Sequence, residues 1–203
     1  MSEPPQEMTR RDGTDMLNDT EVAAFADAAQ WESWLADHHE ETASIWLKIA
    51  KKGPAKTTVT LVEALDVALC YGWIDSHRKA YDQDYYLQRY SPRRPTSSWS
   101  QVNVDKVEAL IAAGRMRDPG LTAIRAAKAD GRWDAAYQPQ RGAVVPHDLE
   151  AALADDEPAR ARFDLLDKTH QYALYLPLMK ATTPRGRAIQ LQRILANLSA
   201  GQR

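Results

Sequence analysis

The sequence predicts an α+β fold: a small antiparallel sheet packed with helices, followed by a helical C-terminal part. Three observations predict it. Apolar residues alternate with polar ones at Ser44 to Lys51, and two short aromatic-rich stretches follow at Trp73 to Lys79 and Asp84 to Tyr90. Apolar residues at helical spacing, opened by capping residues, fill the chain after Ser100. Strands early and helices late make α+β rather than an alternating α/β chain.

The elements follow in order. Met1 to Asn18 has no periodicity and reads as a disordered tail. Val22 to Phe25 is a short strand. Asp27 with Gln30 resembles a capping box, and Trp31, Trp34, Leu35 and His38 follow at helical spacing. In the next strand Ile45, Leu47 and Ile49 face one way and Trp46, Lys48 and Ala50 the other. Lys51-Lys52-Gly53-Pro54 ends it as a loop. Thr60 with Glu63 caps a helix whose stripe is Leu61, Leu65, Ala68 and Leu69, and Gly72 suits the left-handed position after its end. Trp73 to Lys79 and Asp84 to Tyr90 form a β-hairpin. Pro92 and Pro95 make Ser91 to Ser98 a loop.

Ser100 caps a helix carrying Val107, Leu110 and Ile111 and closed by Gly114. Asp118-Pro119 opens another, with Leu121, Ile124 and Ala127 inside and Gly131 at its end. Gln138 to Pro146 is a linker. Helices then run over Asp148 to Ala154, Pro158 to Leu166 and Thr169 to Lys180. The last is capped by Thr183-Pro184 and carries Ile189, Ile194, Leu195 and Leu198. Three segments result: a tail over residues 1–18, an α+β core domain over 19–140, and a C-terminal helical extension over 141–203.

A chain of 203 residues with 44% hydrophobic and 27% charged residues is of ordinary globular composition. A net charge of -2 argues against wholesale binding to nucleic acid or to a membrane surface, but not against a local basic patch. No apolar run approaches the roughly 18 residues of a membrane span, so no membrane insertion is expected. The polar N-terminus carries no apolar core of a signal peptide, so a cytoplasmic location is expected. Cys70 stands alone, on the inward stripe of its helix, and reads as a small buried hydrophobe. His38 and His39 are adjacent and point about 100° apart on a helix. His77, His147 and His170 show no ligand spacing, and no metal is expected. No glycine-rich phosphate loop occurs among the nine glycines, so no cofactor is expected.

One region is unusual. From Tyr86 to Val104 there are three arginines and no acid. Prolines stiffen the loop that carries Arg93 and Arg94, which lowers the entropy cost of using them on a ligand. Arginine forks match carboxylate and phosphate geometry. Trp73 and Trp99 read either as core or as stacking platforms. Arg89, on the hairpin, reads as a ligand arginine or as a structural partner of Asp75 on the facing strand. Ser100 and Asn103 fall at a helix N-terminus, where free N–H groups favour anions and where a plain cap explains Ser100 equally well. The expectation is that Trp73, Asp75, Arg89, Arg93, Trp99, Ser100 and Asn103 converge on one concave, anion-accepting surface. No catalytic residues are assigned.

Several separated patches also carry a resemblance. They are Trp31 to His39, Trp46-Leu47-Lys48 with Lys51-Lys52-Gly53, Glu63-Ala64-Leu65 leading into Cys70 to Asp75, and Pro92-Arg93-Arg94-Pro95. Trp99-Ser100, Asn103, Gly114-Arg115-Met116, Ala126 to Trp133 and Tyr137 continue the series. In this order, over about Phe25 to Tyr137, they resemble the YdeI/OmpD-associated family, also labelled bacteriocin-protection proteins. Phe163 to His170 and Thr182 to Leu198 resemble its helical tail more loosely, with Thr183-Pro184-Arg185 where an uninterrupted Thr-Arg is the family's pattern. The resemblance implies a bacterial protein linked to stress and to tolerance of antimicrobial peptides or bacteriocins, and in some relatives a porin partner. The missing export signal speaks against that partner here. The leading expectation is a non-enzymatic protein that binds a small anionic ligand. The alternatives are an enzyme on a small anionic metabolite, using Asp75 or His77 for proton transfer, and a weak single-stranded nucleic-acid binder.

Overall fold

The chain folds as α+β, its sheet built by the first half and its second half helical. The computed structural model describes residues 8–11, 14–51 and 57–200. These group into two units. A sheet unit takes the described residues up to Pro95 together with Lys106–Ala126, and a helical unit takes Thr96–Asp105 with the described residues from Ala127 onward.

The sheet unit holds β1 (Met8–Arg11), β2 (Thr14–Leu17), β3 (Thr20–Ala23), β4 (Ile45–Ala50), β5 (Trp73–Ala80) and β6 (Tyr85–Pro92). Among the described residues they form one six-stranded sheet in the order β1-β2-β3-β4-β6-β5. Two expectations are corrected here. The sheet is mixed rather than antiparallel, because β3 pairs parallel with β4 and the crossover between them is helix α1 (Ala28–His38). The stretch expected to be a tail carries β1 and β2, while residues 1–7, 12 and 13 of it lie outside the described residues. Asn18 and Asp19, at φ 48° and 57°, make the two-residue turn between β2 and β3. Asn and Asp tolerate that left-handed backbone better than other residues with a side chain.

Helix caps fall where the sequence puts them. Asp27 accepts from the Gln30 N–H at 2.9 Å, and the Gln30 side chain accepts from the Ala26 N–H at 3.0 Å. Thr60 and Glu63 form a reciprocal capping box for α2 (Leu61–Cys70). The buried stripe of α2 is Ala64, Val67, Ala68, Leu69 and Cys70, rotated from the expected one. Gly72 follows at φ +71°. Helices α3 (Gln101–Ala112) and α4 (Asp118–Ala129) come next. At Gly120 the α4 backbone passes so close to α2 that an added Cβ would lie 2.3 Å from the Cys70 carbonyl oxygen.

One face of the sheet carries Ile45, Leu47, Tyr90 and Trp73, enclosed with Trp31 and Leu35 of α1. The Trp31 indole N–H reaches the Ala64 carbonyl at 3.1 Å, joining α1 to α2. The opposite face buries Leu17, Val22, Trp46 and Leu87, with Tyr81 against them. The Lys79 ammonium lies 5.2 Å from the Trp46 ring centroid and that of Lys48 4.8 Å from Tyr81. Long cationic stems thus screen apolar surface, and the Lys48 ammonium is held by Asp15 at 2.8 Å.

The helical unit contains α5 (His147–Ala154), α6 (Glu157–Asp164), α7 (Lys168–Met179) and α8 (Pro184–Ala200), close to their expected bounds. Their core is Leu149, Leu153, Ala159, Phe163, Tyr175, Leu178, Ile194 and Leu198. Ile189, expected inside, is 47% exposed.

Candidate functional site

The β5–β6 hairpin is irregular at one place. Asp75 lies opposite Tyr90, and Arg78 lies opposite Gln88. Three steps along β5 therefore span two along β6, which is a β-bulge. Tyr90 and Gln88 are two apart and share a face, so Asp75 and Arg78 share it too. In a regular strand Asp75 would share its face with His77, and Arg78 would point the other way. The bulge turns Arg78 onto the Asp75 side.

The bulged residue is held from below. The Arg78 Nε donates to the Gln88 amide oxygen at 3.3 Å, and the Gln88 Nε2 donates to the His77 carbonyl at 3.2 Å. Gln88 is 2% exposed, so its amide is fixed by packing as well as by these two bonds. The guanidinium lies 4.7 Å from the Tyr86 ring centroid. A planar cation on an aromatic face, with one nitrogen locked, has little orientational freedom left.

Beside it the polar groups are desolvated. Tyr90 is fully buried, and among the described residues its hydroxyl has no hydrogen-bond partner. Burial, then the nearby Asp75 carboxylate, push the Tyr90 phenol far above its ordinary range, so it stays a neutral donor. Burial also raises the Asp75 carboxyl, against the pull of its own backbone N–H and of Arg78 and Arg93. Arg93 is partly buried, and its backbone N–H donates to the Gly72 carbonyl at 2.9 Å, tying the loop to the start of β5.

The expected site residues are distributed as follows. Trp73, Asp75, Arg89 and Arg93 belong to the sheet unit. Trp73 is 1% exposed, edge-on to Trp31 and Trp34, with its indole N–H 3.3 Å from the His39 carbonyl. It has no open ring face to stack on. Arg89 does not pair with Asp75: it sits opposite Trp46, on the other face of the sheet, and donates to Ser44 Oγ at 2.8 Å. Alternation places neighbours Arg89 and Tyr90 on opposite faces, which sends Arg89 away from Asp75. Trp99, Ser100 and Asn103 belong to the helical unit. Trp99 is 2% exposed and packs 4.9 Å from the Trp133 centroid. The Asn103 N–H donates to Ser100 Oγ at 3.2 Å, which makes Ser100 an ordinary cap of α3.

Arg78, Tyr86, Gln88 and Tyr90 were not singled out from the sequence. Nothing local marks a bulge, and regular alternation assigns Arg78 to the wrong face. Cys70 is buried and its thiol is pushed up to about 11 by burial, so it is a packing residue rather than a nucleophile. Among the described residues no group of three or more His, Cys, Asp or Glu side chains could hold a metal. Among them, too, no helix is long and apolar enough to cross a membrane.

Comparison with known families divides the chain. Residues 143–201 match the family described as bacteriocin-protection, YdeI or OmpD-associated. Residues 23–123 match a domain of unknown function, DUF8412. The family resemblance is thus borne out for the C-terminal part, where it read as the looser one, and the patches between Phe25 and Tyr137 fall mostly under the other domain. No curated protein and no solved structure matches the chain.

Proposed function

We propose that this is a non-enzymatic protein that binds a small ligand bearing an anionic group, and that the sheet unit carries the site. The observation behind the reading is the bulge between Asp75 and Arg78. It gathers a partly buried carboxyl, a braced guanidinium and the Tyr90 phenol on one sheet face, with Arg93 in the loop that follows. The Asp75 carboxyl and the Tyr90 phenol are desolvated side by side without satisfying each other, which costs stability, and such a cost is usual at binding sites. Asp75 and Arg93 remain as ligand residues, joined by Arg78. Trp73 supports the site from the core, and Arg89, Trp99, Ser100 and Asn103 act as structural residues. The setting proposed is a bacterial cytoplasm, in tolerance of bacteriocins or related peptides. The printed description of the family matched at 143–201 and the expectations from the sequence support it.

The test is an anion titration of the full chain followed by amide NMR, with acetate and with inorganic phosphate. Saturable shifts should cluster on β5, β6 and the loop at Arg93. Arg93→Ala should weaken binding by about 1–3 kcal/mol, the range of a charge-assisted hydrogen bond, and leave the fold intact. Shifts confined to other parts of the chain would overturn the reading. An enzymatic role at the same place predicts a turnover that disappears in Asp75→Asn.

A further inference from the structure

We infer that Arg78 is the anchor of a site for a small carboxylate, on the face it shares with Asp75. This rests on the binding reading above and names the ligand class. The guanidinium is braced on two sides, by the Gln88 amide at its Nε and by the Tyr86 ring under its plane. Among the described residues no protein group takes a hydrogen bond from its two terminal nitrogens. Those nitrogens form a flat pair of donors, the geometry that a carboxylate meets with two parallel bonds. A surface arginine without a task keeps its rotamer freedom. Here a 2%-exposed glutamine spends its amide oxygen on orienting this one.

Asp75 supplies the selectivity. It occupies the next same-face pair along the hairpin, about 7 Å away by strand geometry. A carboxylate brings one negative charge to Arg78 and keeps it on the far side of the guanidinium from Asp75. A phosphate near neutral pH meets the same fork but brings up to two negative charges. Repulsion from Asp75 acts more strongly on that ligand. The site therefore favours a monoanionic carboxylate over phosphate.

The experiment follows the backbone amide resonances of β5 and β6, and in the parent also the Arg78 side-chain Nε–H, in the full chain during titration with acetate and, separately, with inorganic phosphate. The expected result is a saturable shift with acetate, at least tenfold weaker binding in Arg78→Lys, and weaker binding of phosphate than of acetate. Lysine keeps the charge and loses the fork, so it isolates the geometry. Equal acetate affinity in Arg78→Lys would overturn the inference, as would phosphate binding as tightly as acetate. Shifts centred on Arg93 that persist in Arg78→Lys would leave the anion-binding reading standing and remove this one. If neither anion shifts any hairpin resonance, both fall.

Discussion

In the helical unit Arg187 lies across Asp148 with bonds of 2.7 and 2.8 Å and also donates to the Leu178 carbonyl. Arg132, 7% exposed, is held by Asp130 and by the Ser97 carbonyl. Arg162 reaches the last carbonyls of α8, those of Leu198 and Ser199. Each guanidinium there ties chain segments distant in sequence or closes a helix end. In the sheet unit, among the described residues, the Arg78 guanidinium is braced at its base and uncommitted at its tip, beside the fully buried Tyr90 phenol, whose hydroxyl has no partner there. The same side chain thus serves as a structural tie at Arg132, Arg162 and Arg187, and as an uncommitted group at Arg78. What separates the two uses is whether the protein itself satisfies the terminal nitrogens.

The largest effects should come from the cores, where the two regions are built differently. Leu153 is fully buried among the α5–α8 side chains. Leu153→Ala should cost about 2–5 kcal/mol, through lost burial and a residual cavity. Chemical denaturation would measure it, and hydrogen exchange should show the loss of protection within α5–α8. A cost under about 1 kcal/mol would mean that the helical core repacks freely.

The sheet unit is sensitive to the opposite change. At Gly120 there is no space for one more carbon, because the near atoms are the Cys70 carbonyl. Gly120→Ala should cost about 1–3 kcal/mol by overpacking, although alanine is the better helix former. A stabilised variant, read as a raised melting temperature, would show that α2 and α4 slide apart at little cost.

These two regions also differ in how much the sequence reveals. The helices and their caps are legible because their causes are local. Asp27 with Gln30 and Thr60 with Glu63 each satisfy backbone donors within three residues. The parallel pairing of β3 with β4 is not local, and nothing in either strand announces it. Strands β1 and β2 stay hidden because they are short, and in β2 Leu17 is buried while Asp15 and Met16 are half-buried. Of the proposed site, Arg93 stands out in the sequence by the acid-free, proline-stiffened stretch around it, and Asp75 by the aromatic-rich motif that it closes. Arg78 does not, because one extra residue in β5 reverses the parity of every side chain after it. The choice of Arg89 failed for the same kind of reason: in a strand, a shift of one residue is a change of face.

A smaller effect tests the committed arginines. Arg187→Ala should cost about 1–2 kcal/mol at neutral pH, discounted because the pair is more than a third exposed on the arginine side. Hydrogen bonds from Arg187 hold the Asp148 carboxyl below its usual range, with burial opposing them. A carboxyl depressed in the folded state gives stability that is present above its unfolded value of about 3.9 and is lost as the pH falls through the lower folded value. The difference between parent and variant should therefore shrink on acidification below about pH 4. A gap unchanged from pH 7 to pH 3 would assign the cost to the lost Leu178 contact instead.

The smallest effect has the most informative sign. Tyr90→Phe removes a hydroxyl that is buried without a partner and leaves the ring against Trp31, 5.8 Å between centroids. Deleting a satisfied buried hydroxyl destabilises a protein, whereas deleting an unsatisfied one removes a desolvation penalty of about 1–3 kcal/mol, offset in part by the lost contacts of the oxygen. The variant should therefore be equal to the parent or slightly more stable in thermal unfolding, and the Asp75 carboxyl should keep its raised pKa, because burial is its main cause. Anion affinity at the hairpin should fall, since the phenol is one of the groups gathered there. Gain in stability with loss of binding is the expected mark of a residue kept for its site rather than for the fold. A clear loss of stability in Tyr90→Phe would place a partner on that hydroxyl and move Tyr90 to the committed class, with Arg132 and Arg187.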